Sequence, residues 1–142
     1  MKKYAIIAGS GFRSFGSESD STVVDTRYGK PSGSLRKLEY GDHAVYLLPR
    51  HGDDLFIPPH AINYRANIKA LQQLAVEQII SINTVGVIAE NQHPGQIAIP
   101  DQLIDYTWGR AHSYFDGRGK IDHVDFTCPF SGNLREQLLI AA

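Results

Sequence analysis

The chain has 142 residues, of which 42% are hydrophobic and 20% charged, and its formal net charge is −1. That is enough for one globular domain and too little for two ordinary ones; it offers no basic surplus for nucleic acid and no apolar run near the ~20 residues of a membrane-spanning helix. The basic start MKKYAIIAGSGF meets glycine too soon for a signal peptide, and a single cysteine, Cys128, excludes an intrachain disulfide. The expectation is a cytoplasmic protein with one domain over residues 1–142, without internal repeats or low-complexity tracts.

Taken in chain order, Lys3 to Ala8 reads as a buried strand that stops at glycine. SFGSESDST (14–22) is a polar loop, and Val23, Val24 and Asp25 begin a short strand. YGKPSG (28–33) is turn chemistry. Leu35–Tyr40 and Ala44–Pro49 flank GDH, a hairpin signal. Pro58 and Pro59 precede a helix whose apolar positions Ala61, Tyr64, Ile68, Leu71 and Ala75 recur at a helical period. Gln78–Asn83 is a further apolar run, closed by Gly86. Ile97–Ile99 and Leu103–Tyr106 read as short strands around Pro100. Ser131–Ala142 reads as a helix capped by Ser131 or Asn133, with Leu134 and Leu138 on one face. Strands mixed with helices, the first strands nearly all apolar, predict an α/β fold whose sheet is covered on both faces.

Three stretches carry candidate chemistry. In AGSGFRSFG a strand ends at Gly9 and Gly11. A dinucleotide-binding loop would need a third glycine at position 14, which is serine, and a helix directly after it. A phosphate loop fits better, because small residues let backbone N–H groups approach an anion and Ser10 adds a hydroxyl. A corner without any ligand is the plain alternative. In LLPRHG an apolar strand delivers Arg50 and His51 side by side. Arginine is shaped to grip a phosphate through two oxygens, and histidine can donate a further hydrogen bond. The plain alternative pairs Arg50 with a surface acid. In SINTVGVI a third apolar strand ends at Thr84, which offers a hydroxyl and a backbone N–H. Ligands of open α/β sheets bind where strand ends gather, so the three stretches together point to one anion site. His112, His123 and Cys128 lack zinc-ligand spacing, and nothing near Cys128 in sequence would activate it as a nucleophile. No metal is expected.

PRHG, PPHAINYRANIKAL, SINTVG and IPDQLIDYTWGR resemble the purine nucleoside phosphorylase family, and within it the methylthioadenosine and methylthioinosine phosphorylase branch. YGKPSG and HSYFDG fit the same branch, and HVDF is most similar to the bacterial methylthioinosine-type members. The resemblance covers nearly the whole chain with its spacing kept. It implies a nucleoside phosphorylase-like fold, a mixed twisted sheet flanked by helices. It also implies phosphorolysis of a 5′-methylthio purine nucleoside, with inorganic phosphate as co-substrate and no other cofactor. By the same resemblance Ser10, Arg50, His51 and Thr84 hold phosphate, and Val85 and Gly86 lie beside the purine. His123 reaches a neighbouring subunit's ribose pocket in a homotrimer. Asn63, Arg65 and Asn67 match the family pattern without an assigned chemical role.

The chain departs from that pattern in three ways. Ser10 stands where threonine is commoner, and Thr84 where alanine is more usual. Family members also continue well past this length, and their later segment supplies the Asp or Asn that recognises the purine; LREQLLIAA stops with no glycine, basic last turn or tail. The expectation is therefore that the C-terminal part of the fold is missing, with apolar surface exposed near the C-terminus and no purine-recognising catalytic residue among these 142. An inactive phosphate-binding fragment and a dinucleotide-binding oxidoreductase domain are the competing readings.

Overall fold

A computed structural model of the chain describes residues 1–12, 15, 20–54 and 57–142. By its internal contacts the chain divides into two units. The first comprises Met1–Thr84 with Arg110–Tyr114, and the second Val85–Gly109 with Phe115–Ala142.

The first unit is a mixed five-stranded sheet, as expected. Its strands are β1 (Lys2–Ala8), β2 (Asp20–Thr22), β3 (Leu35–Tyr40), β4 (His43–Pro49) and β5 (Gln78–Ile82), in the order β2-β3-β4-β1-β5. β2, β3 and β4 run antiparallel, whereas β1 pairs in parallel with both β4 and β5. The β3–β4 hairpin turns on Gly41 and Asp42, as the GDH signal indicated. Parallel pairing of β4 with β1, and of β1 with β5, requires a crossover from β4 to β5. Helix α1 (Tyr64–Gln73) supplies it.

Helix α1 covers one face of the sheet. Ala70 and Leu71 pack with Ala5, Leu35, Ala44, Tyr46 and Leu48, and Ile7, Val24, Leu74 and Val76 close the rim. The alternate residues Ala8 and Leu47 point to the opposite face by the pleat and are also buried, whereas Tyr4, Ile6 and Val45 on that face are only partly buried. The helix presents a different stripe from the one its periodicity suggested. Ile68 is 40% exposed, and Ala66, Asn67, Ala70 and Leu71 are buried instead. The small Ala66 and Ala70 let the helix sit close to the sheet, and Asn67 is tolerated inside because Ser32 satisfies it. Ala61 lies in a separate 3-10 turn (Pro59–Ala61) ahead of the helix.

The start of α1 is fixed by Asn63, whose Oδ1 accepts from the Ala66 amide at 3.1 Å. Its end is a Schellman closure. The Val76 amide bonds the Leu71 carbonyl and the Ala75 amide bonds that of Gln72, with Ala75 at φ 58° where glycine is the usual occupant.

Two expectations shift. The strand placed at Val23–Asp25 lies three residues earlier, at Asp20–Thr22, where the pairing with Leu35–Lys37 falls. Residues 14 and 16–19 of the loop read over 14–22 lie outside the described residues. No strand forms at Ile97–Ile99 or Leu103–Tyr106. Both stretches belong to the second unit, which contains no strand among the described residues, so their backbones have no ladder to join.

The second unit is held by polar contacts. Its helix α2 (Gly132–Ala141) is capped by Ser131, with Leu134 and Leu138 partly buried, as expected. Gln102 donates to the Phe126 and Thr127 carbonyls, and Arg135 donates to that of Pro100. Asp105 and Asp125 each accept from the amide and hydroxyl of the threonine two residues on. The Thr127 hydroxyl and amide hold the Asp125 carboxyl below its usual range. None of this unit's described residues is buried; Ile88 is 98% exposed, Trp108 88% and Ile140 87%. The apolar exposure expected near the C-terminus is therefore present.

Two substitutions probe the backbone. Ala75→Gly relieves a left-handed alanine and should raise the unfolding free energy by up to about 1 kcal/mol. A Cβ on Gly33 would lie 2.7 Å from Pro49 Cγ and 3.0 Å from Asp53 Oδ2, so Gly33→Ala should lower it by roughly 1–3 kcal/mol. Urea denaturation of both variants checks the order; a neutral Gly33→Ala would mean that the 28–34 segment gives way freely.

Candidate functional site

The register of the three parallel strands builds the site. Ala8 of β1 pairs with Pro49 of β4 on one side and Ile82 of β5 on the other, so the strands end level. Ser10 lies two residues beyond Ala8, Arg50 one beyond Pro49 and Thr84 two beyond Ile82. They follow one another along the C-terminal edge of the sheet across two strand intervals, about 10 Å. This is the edge where α/β sheets bind ligands. Ser10 and Thr84 are exposed, and neither hydroxyl has a protein partner among the described residues.

Arg50 is half-buried and held from three directions. Its amide extends the sheet by bonding the Ala8 carbonyl at 2.9 Å. Its guanidinium passes so close to Gly9 that a Cβ there would lie 3.3 Å from Nη2. Its Nε donates to Nε2 of His51 at 3.3 Å. Adjacent strand residues ordinarily diverge; here the chain turns at Pro49, and the Arg50 and His51 side chains meet. Among the described residues no carboxylate pairs with Arg50. The nearby carboxylate, Asp53, is turned to the Ser34 amide at 2.7 Å and to Arg36 at 3.4 Å.

His51 is fixed in turn by a reciprocal clasp. Its Nδ1 bonds the Ile57 carbonyl at 2.7 Å, and the Ile57 amide bonds the His51 carbonyl at 2.9 Å. Residues 55 and 56 lie between them, outside the described residues. Nothing in the sequence pointed to Ile57, because a backbone carbonyl carries no side-chain signature. Gly9 was legible as a turn residue, but not as the gap through which Arg50 passes.

The family-pattern residues without an assigned role have structural ones. Asn63 caps α1 and donates to the Tyr28 carbonyl at 2.7 Å. Buried Asn67 accepts from the Ser32 amide at 2.7 Å and donates to its hydroxyl at 2.9 Å. These bonds fasten the 28–32 turn to the helix, and Gly33 then packs directly on Pro49, next to Arg50. Arg65 stacks on the Tyr28 ring at 5.2 Å from its centroid, and its carbonyl accepts from the Tyr114 hydroxyl. Burial pushes the Tyr114 phenol above its ordinary value; Tyr28 adds to the shift and Arg65 opposes it. A concavity of about 460 Å³ lined by Tyr28, Ile68, Leu71, Ile79 and Tyr114, among others, shares no residue with the anion edge.

Ser10, Arg50, His51 and Thr84 thus lie along one edge of the first unit. Val85 and Gly86 follow Thr84 directly but belong to the second unit, where Val85 is 73% exposed. His123 is exposed in an irregular stretch of the same unit. Among the described residues no group of His, Cys, Asp and Glu is arranged to hold a metal, and Cys128 is an exposed free thiol. The first strand leads through a 3-10 turn (Ser10–Phe12) to β2, with no helix between them among the described residues, unlike a dinucleotide fold.

The sequence matches the Phosphorylase superfamily over residues 3–142. It is 46% identical over 141 residues to a probable S-methyl-5′-thioinosine phosphorylase of Xylella fastidiosa, covering 97% of this chain and 60% of the relative. It is 42% identical over 140 residues to an S-methyl-5′-thioadenosine phosphorylase of Hyperthermus butylicus, covering 97% and 51%. Methylthioadenosine phosphorylase from Schistosoma mansoni, solved with tubercidin, superposes with a TM-score of 0.93 at 35% identity, over all of this chain and 52% of that one. The chain thus spans about half the length of the relatives it matches. The match runs through all three strand ends that carry Ser10, Arg50 and Thr84. On the sheet order, the site edge and this similarity, the chain belongs to the phosphorylase superfamily.

Proposed function

We propose that the protein is a phosphate-dependent nucleoside phosphorylase acting on 5′-methylthio purine nucleosides, and that the edge formed by Ser10, Arg50, His51 and Thr84 holds the phosphate. One observation carries the reading. Three parallel strands end level at that edge, and the half-buried Arg50 there has no carboxylate partner among the described residues. The relatives' names supply the nucleoside, and they divide between thioinosine and thioadenosine, so the proposal covers both bases.

In the proposed reaction the bond from C1′ to the purine nitrogen breaks, and a phosphate oxygen forms the new bond to C1′. The leaving purine carries away the bonding pair and takes a proton, balanced by the one that hydrogen phosphate gives up in forming the ester. Positive charge develops on the ribosyl ring, as in other glycosyl transfers. Phosphate is both the nucleophile and the counter-charge to that cation. The chain's task is to hold it still and dry; Arg50 supplies charge and a two-pronged geometry, and Ser10 and Thr84 supply hydrogen bonds. Products are a purine base and 5-methylthioribose 1-phosphate. We also propose a cytoplasmic location for the protein.

Phosphate-dependent release of hypoxanthine and adenine from the two methylthio nucleosides tests the reading. Arg50→Ala removes charge-assisted bonds worth about 1.5–3 kcal/mol and should raise the phosphate KM roughly 10- to 150-fold with the fold intact. An unchanged phosphate dependence would sink the assignment.

For assembly we propose a homotrimer in which His123 approaches a neighbour's ribose pocket, the family arrangement that HVDF resembles. Light scattering should give three times the protomer mass, and a monomer at micromolar concentration counts against it.

A further inference from the structure

We propose that anion binding at Arg50 is coupled to uptake of a proton on Nε2 of His51. The inference rests on the anion-site reading above and follows from the two hydrogen bonds of one imidazole. The Ile57 carbonyl can only accept, so at 2.7 Å the Nδ1 of His51 carries a proton. In the neutral ring the other nitrogen is then a lone pair, and Arg50 Nε donates into it at 3.3 Å. Neutral His51 therefore has no N–H left for an anion. The Ile57 amide bond back to the His51 carbonyl holds the backbone on both sides of the ring, so the ring cannot readily turn to offer Nδ1 instead.

Protonation of Nε2 changes every part of this arrangement. The ring becomes a donor at both nitrogens, Arg50 Nε is released, and two cations stand side by side. Their surroundings offer no counter-charge among the described residues. Asp53 is held by the Ser34 amide and Arg36, Asp54 is exposed and makes no ion pair, and Gly9 and Ser10 on the β1 side are uncharged. A bound dianion is the group that makes the protonated state favourable, because it accepts from Nε2 and from the freed guanidinium together. Anion and proton thus bind as a pair. His51 holds Arg50 in the empty site and the anion in the filled one.

Sulfate is the suitable probe, because it stays dianionic across neutral pH and brings no proton of its own. Calorimetric titration of the chain in neutral to mildly alkaline buffers of different ionisation heat should show uptake of more than about half a proton per sulfate. Sulfate affinity should then fall as pH rises, approaching tenfold per pH unit. His51→Asn keeps an amide N–H for the Ile57 carbonyl and has nothing at the Nε2 position, so its uptake should drop to near zero. If that variant does not fold, nitrogen-15 NMR of the wild-type ring decides: saturation with sulfate should bring a proton onto Nε2. Sulfate binding without proton uptake, or with Nε2 still unprotonated, overturns the coupling and leaves the anion site standing. No sulfate binding by the wild-type chain overturns the anion site itself, and this inference with it.

Discussion

The parallel pairing of β1 on both its sides is the constraint on which the site depends. β4 and β5 never pair with each other; each meets β1, and their ends are level because Ala8 is in register with Pro49 and Ile82 alike. A one-residue slip on either side would turn Arg50 or Thr84 to the opposite face of the sheet. What prevents a slip is burial. Ala5 and Ala8 are each 1% exposed on opposite faces, and a shifted register would put larger neighbours where only a methyl fits. Small residues in the central strand thus fix the geometry of a charged edge to which they contribute no polar side chain.

Much of this was legible in sequence. β1, the β3–β4 hairpin, β5 and the capped α2 were read from apolar runs, turn residues and a cap signal, all of which are local. The misreadings were non-local. Ile68 and Leu71 obey the same helical period, yet only Leu71 is buried, because Ala66 and Ala70 set which side of α1 can approach the sheet. Ile97–Ile99 and Leu103–Tyr106 have strand-like composition but no neighbouring strand, and pairing is what makes a strand. At the site, the three strand ends could be listed from the sequence, but their convergence needed the register. The hold on His51 comes from a carbonyl six residues away, which no side-chain pattern records.

The polar residues that match the family pattern serve the same geometry indirectly. Asn63, the cap of α1, and Asn67, one turn into it, reach back to the carbonyl of Tyr28 and to Ser32, some thirty-five residues earlier. A buried amide left unpaired is costly, so each such bond is specific as well as stabilising. Together they set the turn that carries Gly33 against Pro49, and so the point at which the chain bends into Arg50. The first unit in this way spends its buried polar groups on placing a loop. The second unit, with its large apolar side chains exposed, has no comparable interior.

The β4–α1–β5 crossover also governs when the site can come into being. β2 and β3 lie between β1 and β4 in the chain, and α1 lies between β4 and β5, so both sides of the edge close by long-range contacts, the Thr84 side by the longer one. An anion held by all three strand ends, as proposed above, would bind only the finished sheet. It would stabilise that sheet by mass action, by about 2.7 kcal/mol at a hundred times its dissociation constant. The phosphate concentration around the protein would then act on the population of folded molecules as well as on the rate of a reaction.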